Sequence, residues 1–388
     1  MCVLKVEIRD VKGEHQKISM LCKKFRKFIF QQRIEDEEGP PYTQDYVHYI
    51  FDGLKYNLGA FNGNKLVGVI GGNIIEGVYS GNPIKIGNIG RVAVEPDYWD
   101  RDRNYWDSEG IKEKLIDEIL EKLKLECDLI YAELLKKEEQ EDIKYLNSLG
   151  FELIKGRKNS EALIKIVGRD GLDLLKNARK MNPLEYNAAK LIAGIKKAEL
   201  EHGEILDASE KDYKTVIELL NNYSKIYPLA RTWSDSSFIE MVNNVMKMNN
   251  WNFSEIKKNY PETEFGGHFK IWRDGDEILG AQLYYIYYVI MEKSPVPMAF
   301  WLFSVFKEDI EPDERKSFIS TLVRSMKGKV AVINVELPYY ANKDFENSGF
   351  MGDQRPVALL LKPISDRTEN ILQERIKNYY LDIIGYNI

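Results

Sequence analysis

The sequence predicts an α+β protein in which one mixed, mostly antiparallel sheet flanked by helices occurs twice. Three observations predict it. At 388 residues the chain exceeds what one ordinary core accommodates. Period-two apolar runs broken by Asn62-Gly63 and Gly81-Asn82 indicate an antiparallel meander, and a strand–helix–strand crossover follows it. The same order of elements then recurs in the second half, as an internal duplication would leave it. The division expected is a domain over 1–168, a helical connector over 169–202 and a second domain over 203–388.

In the first domain, residues 4–10 alternate as a strand. Ile18, Leu21, Cys22, Phe25, Phe28 and Ile29 then recur at helical spacing. Thr43 is placed to cap a second helix that Gly53 helps to end. The meander runs over KYNLGAFNGNKLVGVIGGNIIEGVYS and PIKIGNIGRVAV, and breaks at Glu95-Pro96. After the aromatic, charged loop YWDRDRNYW come a helix from Ile111 to Leu125, the strand DLIYAEL, a short helix ending at Gly150, and the strands FELIKG and ALIKIV.

In the connector, Pro183 divides the helical pattern into two short helices. The second domain repeats the scheme. GEILDAS is a strand, a helix carries Val216, Leu219 and Leu220, and Ser234 or Asp235 caps the next helix. A hairpin turns at Asp274-Gly275, MAFWLFSVF is a further strand, and Pro312 opens a helix with an acidic first turn. KVAVINVELP, a short helix ending at Gly349, and VALLLKP close the pattern.

Composition narrows the function. A net charge of −6 and a pI of 5.6 argue against a general nucleic-acid binder. No apolar run approaches the roughly 18 residues of a membrane span, and the N-terminus lacks a signal-peptide core, so a cytoplasmic protein is expected. Cys2, Cys22 and Cys127 show no CxxC spacing, the four histidines show no HxxxH pair, and there is no GxSxG elbow. No metal site, disulfide framework or serine hydrolase is indicated.

Two features carry a resemblance. A strand ending in Val94-Glu95-Pro96 leads through a loop to a helix entered at Gly110-Ile111, and an unpartnered helix N-terminus can hold a phosphate. Short helices also end in Gly150-Phe151 and Gly349-Phe350, where glycine suits the left-handed residue closing a helix. In these the chain resembles a tandem, two-domain member of the GCN5-related N-acetyltransferase (GNAT) superfamily. The resemblance implies acetyl-CoA as cosubstrate and direct transfer of acetyl to the amine of a small-molecule or peptide acceptor. It implies strand donors at Val92, Ala93 and Val94, and a pyrophosphate held by Ser108, Gly110, Ile111 and Lys112. The loop is longer than the family's, Ser108 and Lys112 replace its usual glycines, and Asp107 replaces its Arg or Gln.

Acyl transfer to an amine also needs a base, carbonyl polarisation and reprotonation of the thiolate. Glu95, Glu133 and the carboxylate of Ile388 are the candidate bases. The family's acid is a tyrosine four residues before the glycine, where this chain has Leu146 and Phe345. Tyr145 is the nearest hydroxyl, but a helix turns it about 100° away. Tyr227, Arg231 and Trp233, with Tyr285 and Tyr287 of a tyrosine-rich strand, are candidates for the acceptor side; the reading that strand favours over a pocket wall is mixed core and interface. The YWDRDRNYW loop reads as a lid or as a docking element. Two other functions remain compatible with these residues: a non-catalytic binding or regulatory protein on degenerate domains, and an aminoacyl or peptidyl transferase.

Overall fold

A computed structural model describes residues 6–33, 41–100, 106–107, 110–135, 140–154, 163–179, 181–194, 200–292, 294–335, 342–352, 357–372 and 379–381. Among these, two large sheets dominate. The first has nine strands and runs Glu7–Asp10, Tyr56–Asn62, Lys65–Tyr79, Asn82–Val94, Leu129–Leu135, Val357–Pro363 and Glu152–Leu153. Two short strands, Leu229–Arg231 and Tyr379–Tyr380, extend it beside Gly77–Tyr79. The second sheet has seven strands: Glu204–Asp207, Gly266–Asp274, Glu277–Ile290, Pro295–Phe306, Val332–Val335, Leu163–Ile166 and Met351–Gly352.

The sheets do not follow the halves of the chain. ALIKIV and VALLLKP are strands, as their alternation predicts, but each completes the other sheet. Leu163–Ile166 pairs with Val332–Val335, and Val357–Pro363 pairs with Leu129–Leu135. A division at residue 168 therefore does not separate one sheet from the other. Each exchanged strand also brings a lysine to a Gly-Phe helix end. Lys362 Nζ donates to the Leu149 carbonyl, and Lys165 Nζ stands against Gly349 and donates to the Gly194 carbonyl at 2.6 Å.

Local signals set the remaining elements. The Thr43 hydroxyl caps helix Gln44–Asp52 by accepting from the Tyr46 amide, and Ser234 caps Asp235–Met246 in the same way. The long hairpin turns on Ser80 and Gly81, with φ of 48° and 81°. Pro183 opens the second connector helix, Pro183–Ile192, after Gly168–Ala178. Gly150 and Gly349 both have φ of 86°, the left-handed closure that their spacing predicts.

Two layers of helix cover the first sheet. Helix Ile111–Lys124 buries Ile111, Leu115, Ile119 and Leu123 on one face. It sits so close that a Cβ at Gly72 would lie 2.7 Å from Ile119. The other face carries helices His15–Arg33 and Gln44–Asp52, whose core runs without a break into the second sheet. Tyr46 stacks on Tyr287 at 5.1 Å, and Tyr49 meets Tyr285 edge-on. Cys22 and Cys127 are buried free thiols, and no described helix is long and apolar enough to cross a membrane.

Candidate active site

The site begins where two parallel strands part. Asn82–Val94 pairs with Leu129–Leu135 only from Ile86 to Ile89, although the latter strand continues to pair on its other edge. Immediately beyond, Arg91 and Val92 together oppose the single residue Ile70, which is a β-bulge. Arg91 is buried there with φ of +58°, a conformation costing a non-glycine residue about 1–2 kcal/mol. Such strain persists only where the surrounding structure fixes it. The bulge and the parting of the strands coincide, so the main chain at Gly90–Val92 borders a gap in the sheet.

On one side of this gap lies the N-terminus of helix Ile111–Lys124. Gly110 caps it with φ of +68° and without a side-chain bond to the first turn. On the opposite face lies a cavity of about 310 Å³. The first sheet contributes Asn73, Glu76 and Arg91 to its wall; helix Gln44–Asp52 and its end contribute Tyr49, Gly53 and Leu54. The second half closes it with Arg231, Trp233, Glu240 and Leu302. The Arg231 guanidinium lies 3.4 Å above the Trp233 ring, a cation–π contact that holds a buried charge at the wall. Leu302 is itself the extra residue of a bulge, the second sheet's counterpart of Arg91.

The residues expected from the sequence fall into distinct places. Val92, Ala93 and Val94 form the end of the bulged strand, and Ile111 is a core residue of the helix. Lys112 is engaged with Asp142 in a largely buried ion pair, so it ties two helices together. Glu95 is 3% exposed and paired with Lys24 at 2.9 Å and Lys65 at 3.5 Å. The Glu95 hydrogen bond in turn raises the Lys24 pKa. A carboxylate held by two ammonium groups braces the strand end against the first helix. The Tyr145 hydroxyl donates to Asp117 at 2.8 Å on the exposed side of the helices. Burial and that carboxylate raise its pKa, and the adjacent Leu146 is the residue that faces the core.

Glu133 stands one residue beyond Ala132, the last partner of the departing strand. Leu129 and Tyr131 pack on the sheet face opposite helix Ile111–Lys124, and alternation places Glu133 with them. Arg231 and Trp233 line the cavity, whereas Tyr227, Tyr285 and Tyr287 do not. Tyr287 is 2% exposed, contacts the Thr43 hydroxyl at 3.2 Å and packs between helix and sheet, so the tyrosine strand is an interface. The backbone around YWDRDRNYW forms a small ladder pairing Trp99 with Asp107 and Asp100 with Trp106. Ser108, Arg101, Arg103 and Ile388 lie outside the described residues.

Asn73, Glu76, Arg91 and Glu240 are site residues that the sequence did not single out. Arg91 carried the one available signal, a charge inside an apolar strand run.

No protein-family model matches this chain, and no curated protein matches its sequence. Solved structures do. Two crystal structures of Saccharomyces cerevisiae N-myristoyltransferase with bound myristoyl-CoA match it with TM-scores of 0.65 and 0.64, each at 11% identity. The matches cover 94% and 93% of this chain and 79% and 83% of those chains. A third, with bound myristoyl-CoA and inhibitors, matches at 0.62 and 10% identity, covering 94% of this chain and 80% of that one. At 10–11% identity the likeness is one of fold: the chain has the α+β fold of these structures.

Proposed function

We propose that this protein is an acyl-CoA-dependent N-acyltransferase that passes an acyl group from the thioester to an acceptor amine by direct attack. The observation that carries the reading is the coincidence of the bulge at Arg91–Val92 with the parting of the strands after Ile89. A gap in a sheet admits the pantetheine arm edge-on, and main-chain N–H groups bordering it can polarise a thioester carbonyl. The helix N-terminus entered at the left-handed Gly110 on one side suits the pyrophosphate. The cavity on the other face suits the acceptor, whose amine would meet the thioester through the gap. The similar N-myristoyltransferase structures, which contain bound myristoyl-CoA, match 94% and 93% of this chain.

Within this reading Glu133 is the base. Its position at the mouth of the gap, on the cavity's face of the sheet, would let it take the proton that the amine loses on attack. Glu95 and Tyr145 are given no chemical step, because their partners commit them elsewhere. The carboxylate of Ile388 is the second candidate base. The donor's acyl chain is acetyl in the superfamily the sequence resembles and myristoyl in the similar structures, so both are tested.

Acetyl-CoA and myristoyl-CoA are each titrated into the protein and followed by calorimetry and thermal stability. A ligand that binds the folded state raises the melting temperature by mass action. Micromolar binding of either is expected, and its chain length identifies the donor class. A flat response to both at millimolar ligand would sink the reading. Given binding, Glu133→Gln should leave donor affinity unchanged while turnover with amine acceptors falls by about 100-fold or more. If deletion of Asn387 and Ile388 abolishes turnover and Glu133→Gln does not, the terminal carboxylate is the base.

A further inference from the structure

We propose that His15, His48 and Asp52 form a binding site for a divalent transition-metal ion of the zinc type, joining the first two helices beside the cavity. The three side chains offer ligand atoms that all lie within 4.8 Å of one another. His15 Nε2 lies 2.6 Å from one carboxylate oxygen of Asp52, and His48 Nε2 lies 2.9 Å from the other. The two imidazole rings are only 4.6 Å apart. His48 and Asp52 are four residues apart on one helix, hence on one face, and His15 comes from the start of the neighbouring helix. Sequence spacing alone does not reveal the group, because His15 is 37 residues from its carboxylate.

The donor set suits the ion. Two imidazoles and one carboxylate are ligands zinc commonly takes, at about 2.0–2.2 Å each, with a fourth position open to water. At those lengths neighbouring ligand atoms stand roughly 3.3 Å apart in a tetrahedron, so each contact needs to open by about half an ångström. Side-chain exposures of 21%, 54% and 33% for His15, His48 and Asp52 leave a path for the ion and its water. In binding, the ion takes the place of the contacts between each Nε2 and the carboxylate, held by neutral imidazoles whose remaining proton sits on Nδ1.

Helix electrostatics point the same way. Asp52 is the last residue of its helix, where the macrodipole is negative, and the last turn contains no basic residue. A carboxylate there is poorly placed for helix stability, and a bound cation removes both unfavourable terms. The consequence reaches the cavity, since Gly53 and Leu54, the next two residues, line its wall. An ion at this point would fix the helix end that shapes the acceptor side.

The test uses the full-length protein, stripped with a chelator and titrated with zinc chloride by calorimetry. One equivalent is expected to bind and to raise the melting temperature. His48→Asn and Asp52→Asn should each weaken binding by more than about 100-fold, beyond the loss of an outer-shell partner. Circular dichroism confirms that each variant is folded. His202→Asn removes a histidine that also touches two carboxylates, Asp274 and Glu314, and should leave zinc affinity unchanged. Cobalt(II) should give a visible spectrum of nitrogen and oxygen ligands without a thiolate charge-transfer band. Binding only at millimolar zinc, unchanged affinity in His48→Asn and Asp52→Asn, or a thiolate band would each overturn the proposal.

Discussion

The two sheets carry bulges at matching places, yet the helices that follow them are entered differently. Each contains a hairpin with a bulge at the third residue of its second strand, Val67 in the first sheet and Leu279 in the other. Each has a further bulge near the end of the next strand, at Arg91–Val92 and at Leu302. The contents of these equivalent places differ. The first helix is entered through a left-handed glycine with no side-chain cap. The second, Pro312–Ser325, begins with Asp313 and Glu314, and the Glu314 carboxylate accepts from the Glu311 amide at 3.0 Å. Its end is occupied by the chain's own acids, which satisfy the helix dipole and repel any phosphate. In the second sheet, pairing with Val332–Val335 likewise stops at Trp301, just before the Leu302 bulge, and Trp301 packs against Phe345 and Phe350. The two copies thus match in their sheets and differ in how the following helix is entered.

The exchange of strands Leu163–Ile166 and Val357–Pro363 means that neither sheet is complete within its own half. Expressed alone, residues 1–168 would lack the partner of Leu129–Leu135, leaving Leu134 and Ala132 on an exposed edge. The expected outcome is that neither 1–168 nor 203–388 gives a cooperative thermal transition by circular dichroism. If either half melts cooperatively at a temperature near that of the whole chain, the exchange is not what holds the sheets together.

The next effect is specific to one copy. Gly110→Val places a β-branched residue at φ of +68°, with its Cβ 3.2 Å from the Glu113 carboxylate. The left-handed backbone alone costs about 1–2 kcal/mol, and a side chain at the helix mouth should weaken acyl-CoA binding by at least about tenfold. Glu314→Ala at the corresponding end of the second helix removes the bond to the Glu311 amide, a cap worth about 1 kcal/mol, together with the contact to His202, and should leave acyl-CoA affinity unchanged. Equal loss of affinity in both variants would mean that the two ends share the donor, and the contrast between the copies would fall.

These differences were legible to unequal degrees. The paired Gly-Phe endings could be read because a left-handed helix closure strongly favours glycine, and both glycines have φ of 86°. The acidic first turn at Asp313-Glu314 was equally plain. ALIKIV and VALLLKP read correctly as strands, but a strand's alternation fixes its faces and not its neighbour, so the exchange was hidden. Arg91 was missed because it occupies a left-handed position without being glycine, and its strain is set by the strands around it. Tyr285 and Tyr287 were drawn toward the acceptor side by their hydroxyls, yet helix Gln44–Asp52 covers them with Tyr46 and Tyr49. The ion pairs of Glu95 were hidden because Lys24 and Lys65 lie 71 and 30 residues away.

The smallest effect tests how the closed end is held. His202 sits between two carboxylates, with Nε2 2.8 Å from Glu314 and Nδ1 3.0 Å from Asp274. Its hydrogen bond to Glu314 is the main cause raising its pKa above the ordinary imidazole value of 6.5, with Asp274 adding to it. A raised folded pKa stabilises the protein fully below the unfolded value, and that contribution disappears as pH climbs through the folded value. His268 acts in the opposite sense. Burial lowers its pKa, so it costs stability as pH falls below the unfolded value. The melting temperature of the native protein contains both effects, and the difference from His202→Asn isolates the first. That difference should be positive and level below about pH 6.5 and shrink toward zero above the folded value. It should also weaken with added salt, because exposed ion pairs contribute at most about 1 kcal/mol and are screened. A difference that grows with pH would show that the histidine serves the helix end only as a neutral hydrogen-bond donor.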